Sequence, residues 1–281
     1  MIRKPMLAKE TTNAKPAIWN RYWRISKKLD GVRCMLYWDE EAQEIKTASR
    51  GGKHYDAATT HIRAIPKLIN LLKKRPNVML DGEIYVHGMS LQEISGISRL
   101  KEYDPERCNV LEFHCYDLAV DGPDFQKRLE MIDRMRDYFI DEKKIKVLEH
   151  FEIHGYNEAK AYHDQWVAQG YEGAILRDPT KEYGFGKRDV RMIKLKEFKD
   201  EEFEITGWKP GLRGSEDMVF QLKTKDDIAF EAKPIGDRAL KDRYVKDMVN
   251  IIGQKGTVKY FYMTEEGVPF LPVFKCVRNY E

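Results

Sequence analysis

Lys28-Leu29-Asp30-Gly31-Val32-Arg33 is the stretch on which the fold of this chain turns. Ahead of it, Trp23-Arg24-Ile25-Ser26-Lys27 reads as a strand, with Ile25, Lys27 and Leu29 on one face and Ser26, Lys28 and Asp30 on the other. Gly31 interrupts the run, and Val32, Cys34, Leu36 and Trp38 begin a second alternating strand. Lys28 therefore stands at a strand end, beside Asp30 and a glycine turn. A lysine placed by a rigid strand can act as a covalent nucleophile where its surroundings favour the neutral amine. Asp-Gly is equally ordinary hairpin chemistry, with a lysine at its edge.

Working outward, Thr47-Ala48-Ser49-Arg50-Gly51-Gly52 is a strand end that runs into a glycine turn carrying an arginine. Pro66 opens a helix with Leu68, Ile69 and Leu72 on its buried face. Val78 to Val86 alternates: Leu80, Gly82, Ile84 and Val86 share one side, and Asp81, Glu83 and Tyr85 share the other. Two carboxylates on one strand face suit a cation or polyhydroxyl site, or a solvated outer face. Ser90-Leu91-Gln92-Glu93 has the form of a capping box. In the strand from Leu111 to Leu118, Tyr116 shares a face with Glu112 and His114, and Asp117 points the other way. Asn157 is expected to cap a helix ending near Gly170. Tyr171-Glu172-Gly173-Ala174-Ile175-Leu176-Arg177 then places Glu172 on an apolar strand face, costly unless the carboxylate is paired or binds a metal. After the flexible basic loop Tyr183 to Arg188, the strand Arg191 to Lys196 puts Met192, Lys194 and Lys196 on one side. Paired lysines suit a phosphate chain, or a strand edge guarded against aggregation.

Past Phe198-Lys199-Asp200 the pattern changes to five short alternating runs and one helix, roughly Asp237 to Val249, which fits a small barrel of the OB type. The expected domains are residues 1–198 and 199–281. Charge is abundant but nearly balanced, a net of +3, so composition by itself selects no nucleic-acid partner. The four cysteines have no zinc-site spacing and read as reduced thiols. Neither a signal peptide nor a membrane-length apolar run is visible, so a cytoplasmic location is expected.

In this order the segments resemble the covalent nucleotidyltransferases and, within them, the ATP-dependent DNA ligases, over nearly the whole chain. The lysine stretch resembles the nucleophile motif, and Ser49-Arg50-Gly51 the second. Leu80-Asp81-Gly82-Glu83 is similar to the third, and Phe113-His114-Cys115-Tyr116-Asp117 to the aromatic motif that follows. Gly170 to Arg177 and Met192 to Lys196 resemble the fourth and fifth, and Pro272 to Arg278 the last. The resemblance implies an α+β fold: an ATP-grasp-like nucleotidyltransferase domain of antiparallel sheets with helices, then a C-terminal OB-fold β-barrel. It implies that Lys28 attacks the α-phosphate of ATP, that Lys194 and Lys196 hold phosphates, and that Glu172, with Glu83 or Asp81, binds Mg2+, for which Mn2+ can substitute. Tyr116 would stack on adenine and Glu83 would reach the ribose. Arg33, Arg50 and Arg188 would contact ribose or phosphate, and Arg278 with Lys275 would orient pyrophosphate. The implied partner is nicked double-stranded DNA, met by a monomer of bacterial, phage or viral origin, with binding that weakens steeply as salt rises.

Three departures stand out. Lys27 precedes Lys28, and the spacing to Asp30-Gly31 selects Lys28. Phe270 stands where many members of the family carry an arginine. The connection Lys209 to Glu216 is short, where some minimal viral ligases carry a long insertion. RNA ligases and capping guanylyltransferases share the lysine motif, and a non-catalytic nucleic-acid-binding module is the rival from another class. The NAD-dependent ligases' extra N-terminal domain and zinc element find no counterpart.

Overall fold

The computed structural model describes residues 3–10, 19, 21–195, 199–211, 214–260, 263–264 and 266–278. The chain divides into two compact units, Met1–Lys196 and Glu197–Glu281.

The first unit has strands β1 (Leu7–Glu10), β2 (Trp23–Lys28), β3 (Val32–Asp39), β4 (Glu44–Ala48), β5 (Met79–Tyr85), β6 (Glu112–Ala119), β7 (Ile145–Val147), β8 (Phe151–Ile153), β9 (Gly173–Arg177) and β10 (Arg188–Leu195). They form two five-stranded sheets, ordered β1-β10-β9-β2-β8 and β4-β3-β5-β6-β7. Pairing is antiparallel except at one edge of each sheet, where β1 runs parallel to β10 and β7 to β6.

The two strands flanking Asp30-Gly31 do not form a hairpin. β2 pairs with β8 and β9, whereas β3 pairs with β4 and β5 in the other sheet. Leu29-Asp30-Gly31 is thus the crossing from one sheet to the other, and Lys28 is the last residue before it. A side chain at Gly31 would run into the Ile84 carbonyl oxygen on β5, so the crossing needs a residue without a Cβ.

Alternation on β3 feeds two cores. Cys34, Leu36 and Trp38 pack with Leu68, Ile84 and Phe113, while Met35 packs with Met6, Ala48, Tyr183 and Met192. A third core, around Trp23, Ile25, Trp166 and Leu176, closes the outer face of the first sheet. Each fully buried side chain of this size contributes about 1.5–3 kcal/mol. The helix Pro66–Lys73 buries Leu68 and Leu72, and Ser90 with Glu93 forms the capping box of the helix Leu91–Ser98. The helix Tyr156–Ala168 starts differently from the expectation: Gly155 is its N-cap, and Asn157 lies inside its first turn.

The second unit contains β11 (Lys199–Gly211), β12 (Gly214–Lys223), β13 (Ala229–Pro234), β14 (Lys255–Tyr260) and β15 (Val273–Val277), closed in the order β11-β12-β13-β15-β14. Closure removes both sheet edges. Phe220 stacks on Phe274 at 3.9 Å between ring centroids inside the barrel. Asp237 caps the helix Arg238–Lys246. Of the connection Lys209 to Glu216, the described residues are strand, with Pro210 paired to Met218 and Gly211 to Gly214; Leu212 and Arg213 lie outside the described residues. Among the described residues no helix is long and apolar enough to cross a membrane.

Candidate active site

A pocket of about 550 Å³ opens between the two sheets of the first unit, lined by both strands that flank the crossing. Lys28 reaches it from the end of β2, opposite Gly173 of β9. The Lys28 ammonium is ion-paired with Glu172, and the Glu172 backbone N–H donates to the Lys28 carbonyl at 3.0 Å. Simple alternation would have set Glu172 on the apolar face with Ala174 and Leu176. Gly173 prevents this with a φ of +147°, and a Cβ there would run into the Leu195 carbonyl oxygen. The glycine turns the carboxylate away from the core and toward the lysine. Lys27 also lines the pocket, but its ammonium has a different partner: it lies 4.5 Å from the Tyr171 ring centroid and donates to the Tyr171 hydroxyl at 3.4 Å.

Arg33 on β3 is held with little freedom. Its Nε and Nη2 donate to the two Asp81 carboxylate oxygens at 2.9 and 2.6 Å, and its Nη1 donates to the Met6 carbonyl at 2.7 Å. Burial is the largest influence and opposes the guanidinium charge, but Asp81, Tyr116 and Tyr183 together outweigh it and hold the arginine well above its ordinary pKa. The Tyr183 hydroxyl donates to the same carboxylate at 2.6 Å. Asp81 is 1% exposed with both oxygens engaged by Arg33 and Tyr183, so here it positions Arg33. Among the described residues no three His, Cys, Asp or Glu side chains cluster as a ready cage. The loop expected to be flexible is anchored here, because Tyr183 is buried and the strand β10 already begins at Arg188.

Among the described residues Glu83 is the single carboxylate lining the pocket, and it accepts a hydrogen bond from the Tyr116 hydroxyl at 3.3 Å. Burial pushes its pKa up from 4.5 to about 7, against the pull of Lys28 and Arg33. Tyr116 reaches the pocket through a β-bulge. Asp81 pairs with Asp117 and Gly82 with Cys115, which leaves Tyr116 as the extra residue of β6. The bulge resets the alternation that would have sent Asp117 to the opposite face. Asp117 instead lies beneath the pocket, bound by the Arg128 Nε at 2.7 Å and 3.4 Å from the Arg177 Nε. The Arg177 guanidinium donates to the Ser26 hydroxyl at 3.2 Å and lies 5.0 Å from the Tyr116 ring centroid. Sequence reasoning assigned Arg177, Tyr183 and Met6 no part in the site. An acid on an inward strand face, Asp117, was the available signal that a buried cation must accompany it.

The remaining expected residues divide. Arg50 lines the pocket from the turn where the Ser49 hydroxyl accepts from the Gly51 and Lys53 N–H groups. Arg188 lines it too and donates to the Ala8 carbonyl at 2.6 Å. Lys194 lines it and pairs with Glu10 at 2.9 Å. Lys196 falls outside the described residues. Arg278 belongs to the second unit, where its Nε donates to the Thr257 hydroxyl at 2.8 Å and lies 3.0 Å from a Glu202 oxygen. Lys275 pairs there with Asp200 at 2.7 Å.

Among the described residues Lys27, Lys28, Arg33, Arg50, Lys53, Arg177, Arg188 and Lys194 line the pocket, against Glu83 on the acidic side. Such a balance suits a polyanion. Tyr116 and Ile175, from different sheets, supply apolar lining beside those charges. An aromatic-aliphatic recess next to a cationic one matches a molecule with a flat ring at one end and phosphates at the other.

A sequence model of the family described as ATP dependent DNA ligase domain matches residues 5–196. The DNA ligase of African swine fever virus (strain Badajoz 1971 Vero-adapted) is 29% identical over 195 residues, covering 68% of this chain and 46% of the viral protein. The DNA ligase of Archaeoglobus fulgidus is 23% identical over 227 residues, covering 74% of this chain and 39% of that protein. The chain thus spans about half the length, or less, of the curated relatives it matches. Among solved structures, one named Pmar-Lig_PreS3 superposes with a TM-score of 0.83 at 20% identity, over 100% of this chain and 68% of its own. A structure of the Lig E DNA ligases gives 0.74 at 21% identity, over 99% and 100%. The ATP-dependent DNA ligase of bacteriophage T7 in complex with ATP gives 0.58 at 20% identity, over 98% of each chain. At these identities the structural likeness speaks to the fold, a nucleotidyltransferase unit followed by a small barrel; the family rests on the match to residues 5–196. The chain belongs to the ATP-dependent DNA ligase domain family.

Proposed function

We propose that this chain is an ATP-dependent DNA ligase that seals 3′-hydroxyl/5′-phosphate nicks in duplex DNA, with Lys28 as the nucleophile. The observation that carries the reading is the position of Lys28: it lines a cationic pocket with an aromatic wall, in contact with one carboxylate. In the first step the Lys28 amine attacks the α-phosphorus of ATP. The bond from that phosphorus to the bridging oxygen breaks, and pyrophosphate leaves. Glu172 is placed to accept the proton that the ammonium must lose beforehand. In the second step an oxygen of the nick's 5′-phosphate attacks the lysyl-AMP phosphorus, and the P–N bond breaks. In the third, the 3′-hydroxyl attacks the activated 5′-phosphate, and AMP departs.

In this reading Tyr116 stacks on adenine, Glu83 meets the ribose, and Arg33, held by Asp81, contacts the nucleotide from a fixed position. Lys194 holds phosphate, and Lys196 is assigned the same work. Arg50 makes no side-chain bond or ion pair among the described residues, and Arg188 is exposed. Both are suited to the 5′-phosphate of DNA. Arg278 is assigned to orienting pyrophosphate.

Two carboxylates, Glu172 and Glu83, fit a Mg2+ ion that takes its other ligands from phosphate oxygens and water. When bound, Mg2+ supplies charge compensation at the α-phosphate. The chain is expected to act as a monomer in a cytoplasmic compartment.

Intact mass measured with and without ATP and Mg2+, followed by a nick-sealing gel, tests the reading. The wild-type chain is expected to gain one AMP with ATP and none with GTP, and to join nicked DNA. Lys28→Ala should show neither activity. An AMP label retained on a peptide containing Lys27 alone would move the nucleophile.

A further inference from the structure

A second cavity, of about 580 Å³, lies in the first unit away from Lys28, between the helices Pro66–Lys73 and Phe125–Tyr138. Leu72, Leu80 and Leu118 are buried at its floor, and Met131 and Tyr138 stand on its wall. Around it lie three cations on two different elements: Lys74 and Arg75 after the first helix, and Arg134 on the second. All three are exposed, and none makes an ion pair or side-chain hydrogen bond among the described residues. Among the described residues no aspartate or glutamate lines the groove.

We propose that this groove docks a short acidic segment of a partner protein whose carboxylates flank aliphatic anchor residues. The apolar floor calls for hydrocarbon, which a phosphodiester backbone does not offer. Unpaired cations on both walls call for several separated carboxylates rather than one head group. Met131 and Met135, unbranched and polarizable, suit a bound side chain whose shape is not matched in advance. The floor also connects to the lysine pocket. Leu80 and Leu118 sit next in sequence to Asp81 and Asp117, the carboxylates that hold Arg33 and Arg177. A segment seated against the two leucines therefore bears on the strands that position the nucleotide-facing arginines.

The test is fluorescence anisotropy of the full chain with a labelled synthetic peptide in which leucines alternate with glutamates. Saturable binding is expected, weakening with salt and falling roughly tenfold or more in Arg75→Glu/Arg134→Glu. A peptide with serine in place of leucine should bind at least about tenfold more weakly. The exposed arginine variants should keep wild-type circular dichroism and wild-type labelling by ATP; Met131→Glu provides a second variant that blocks the apolar wall without touching the rim cations. Four results would overturn the proposal: no binding at millimolar peptide, equal binding of the serine peptide, indifference to all variants, or displacement of the peptide by nicked duplex or anionic vesicles.

Discussion

Arg33 shows how strongly a single buried pair can be relied on. Its guanidinium meets Asp81 through two parallel hydrogen bonds, in a site where Asp81 is 1% exposed. Removing one partner of such a pair leaves a buried charge uncompensated. Asp81→Ala is therefore expected to destabilise the chain by about 3–5 kcal/mol, read as a lower urea midpoint at unchanged slope. Glu83 yields a prediction of opposite character. Its carboxyl is raised from 4.5 to about 7, so the folded chain holds that proton more tightly than the unfolded one. Unfolding then releases a proton in the window from about 4.5 to 7, and raising the pH through that window favours unfolding. The stability that the protonated carboxyl contributes is present below the window and lost as pH passes 7. In Glu83→Gln this loss should vanish; urea midpoints for both chains across pH 4.5 to 7.5 check it. Parallel curves would remove Glu83 as the cause.

At the scale of elements, two backbone irregularities aim the site. Gly173 turns Glu172 off the apolar face of β9, and the bulge at Tyr116 brings both the tyrosine and Asp117 to the pocket side of β6. Neither is visible in an alternation pattern, because alternation assumes an unbroken strand. Gly173→Ala must adopt a φ of +147° and meet the Leu195 carbonyl oxygen. It is expected to lose roughly 1–3 kcal/mol of stability and most of its AMP labelling. The control is Gly88→Ala, whose φ is also positive, at +86°, but where an added Cβ meets nothing within 4 Å. Equal effects of the two substitutions on labelling would show that backbone strain alone, rather than the placement of Glu172, is being measured.

For the whole molecule, the division between Lys196 and Glu197 puts the pocket lined by Lys28, Arg33 and Lys194, with Glu172 paired to Lys28, in one unit and Arg278 in the barrel of the other. With Arg278 assigned to the departure of pyrophosphate, Arg278→Ala should slow self-adenylation by about tenfold or more, yet leave the sealing of pre-adenylated nicks nearly unchanged. Equal losses in the two assays would count against that assignment. Much of this protein was legible in its sequence. Short-range regularities carried it: period-two runs on β2, β3, β5 and β10, the Ser90–Glu93 capping box, and motif spacing around Lys28. Local sequence determines which way a side chain points along an unbroken strand; the strands with Lys28 and Arg33 are unbroken there, and around Lys194 the pairing of β10 with β9 is regular. Only the tertiary structure decided that Asp30-Gly31 crosses between sheets instead of folding a hairpin, since strand partners are chosen by long-range pairing. Only it decided that Asp81 is spent on Arg33, and that Arg177 stands behind Ser26 and Tyr116. The physical reason is that a buried charge must find its counter-charge wherever packing brings one, and packing joins residues that the sequence holds far apart.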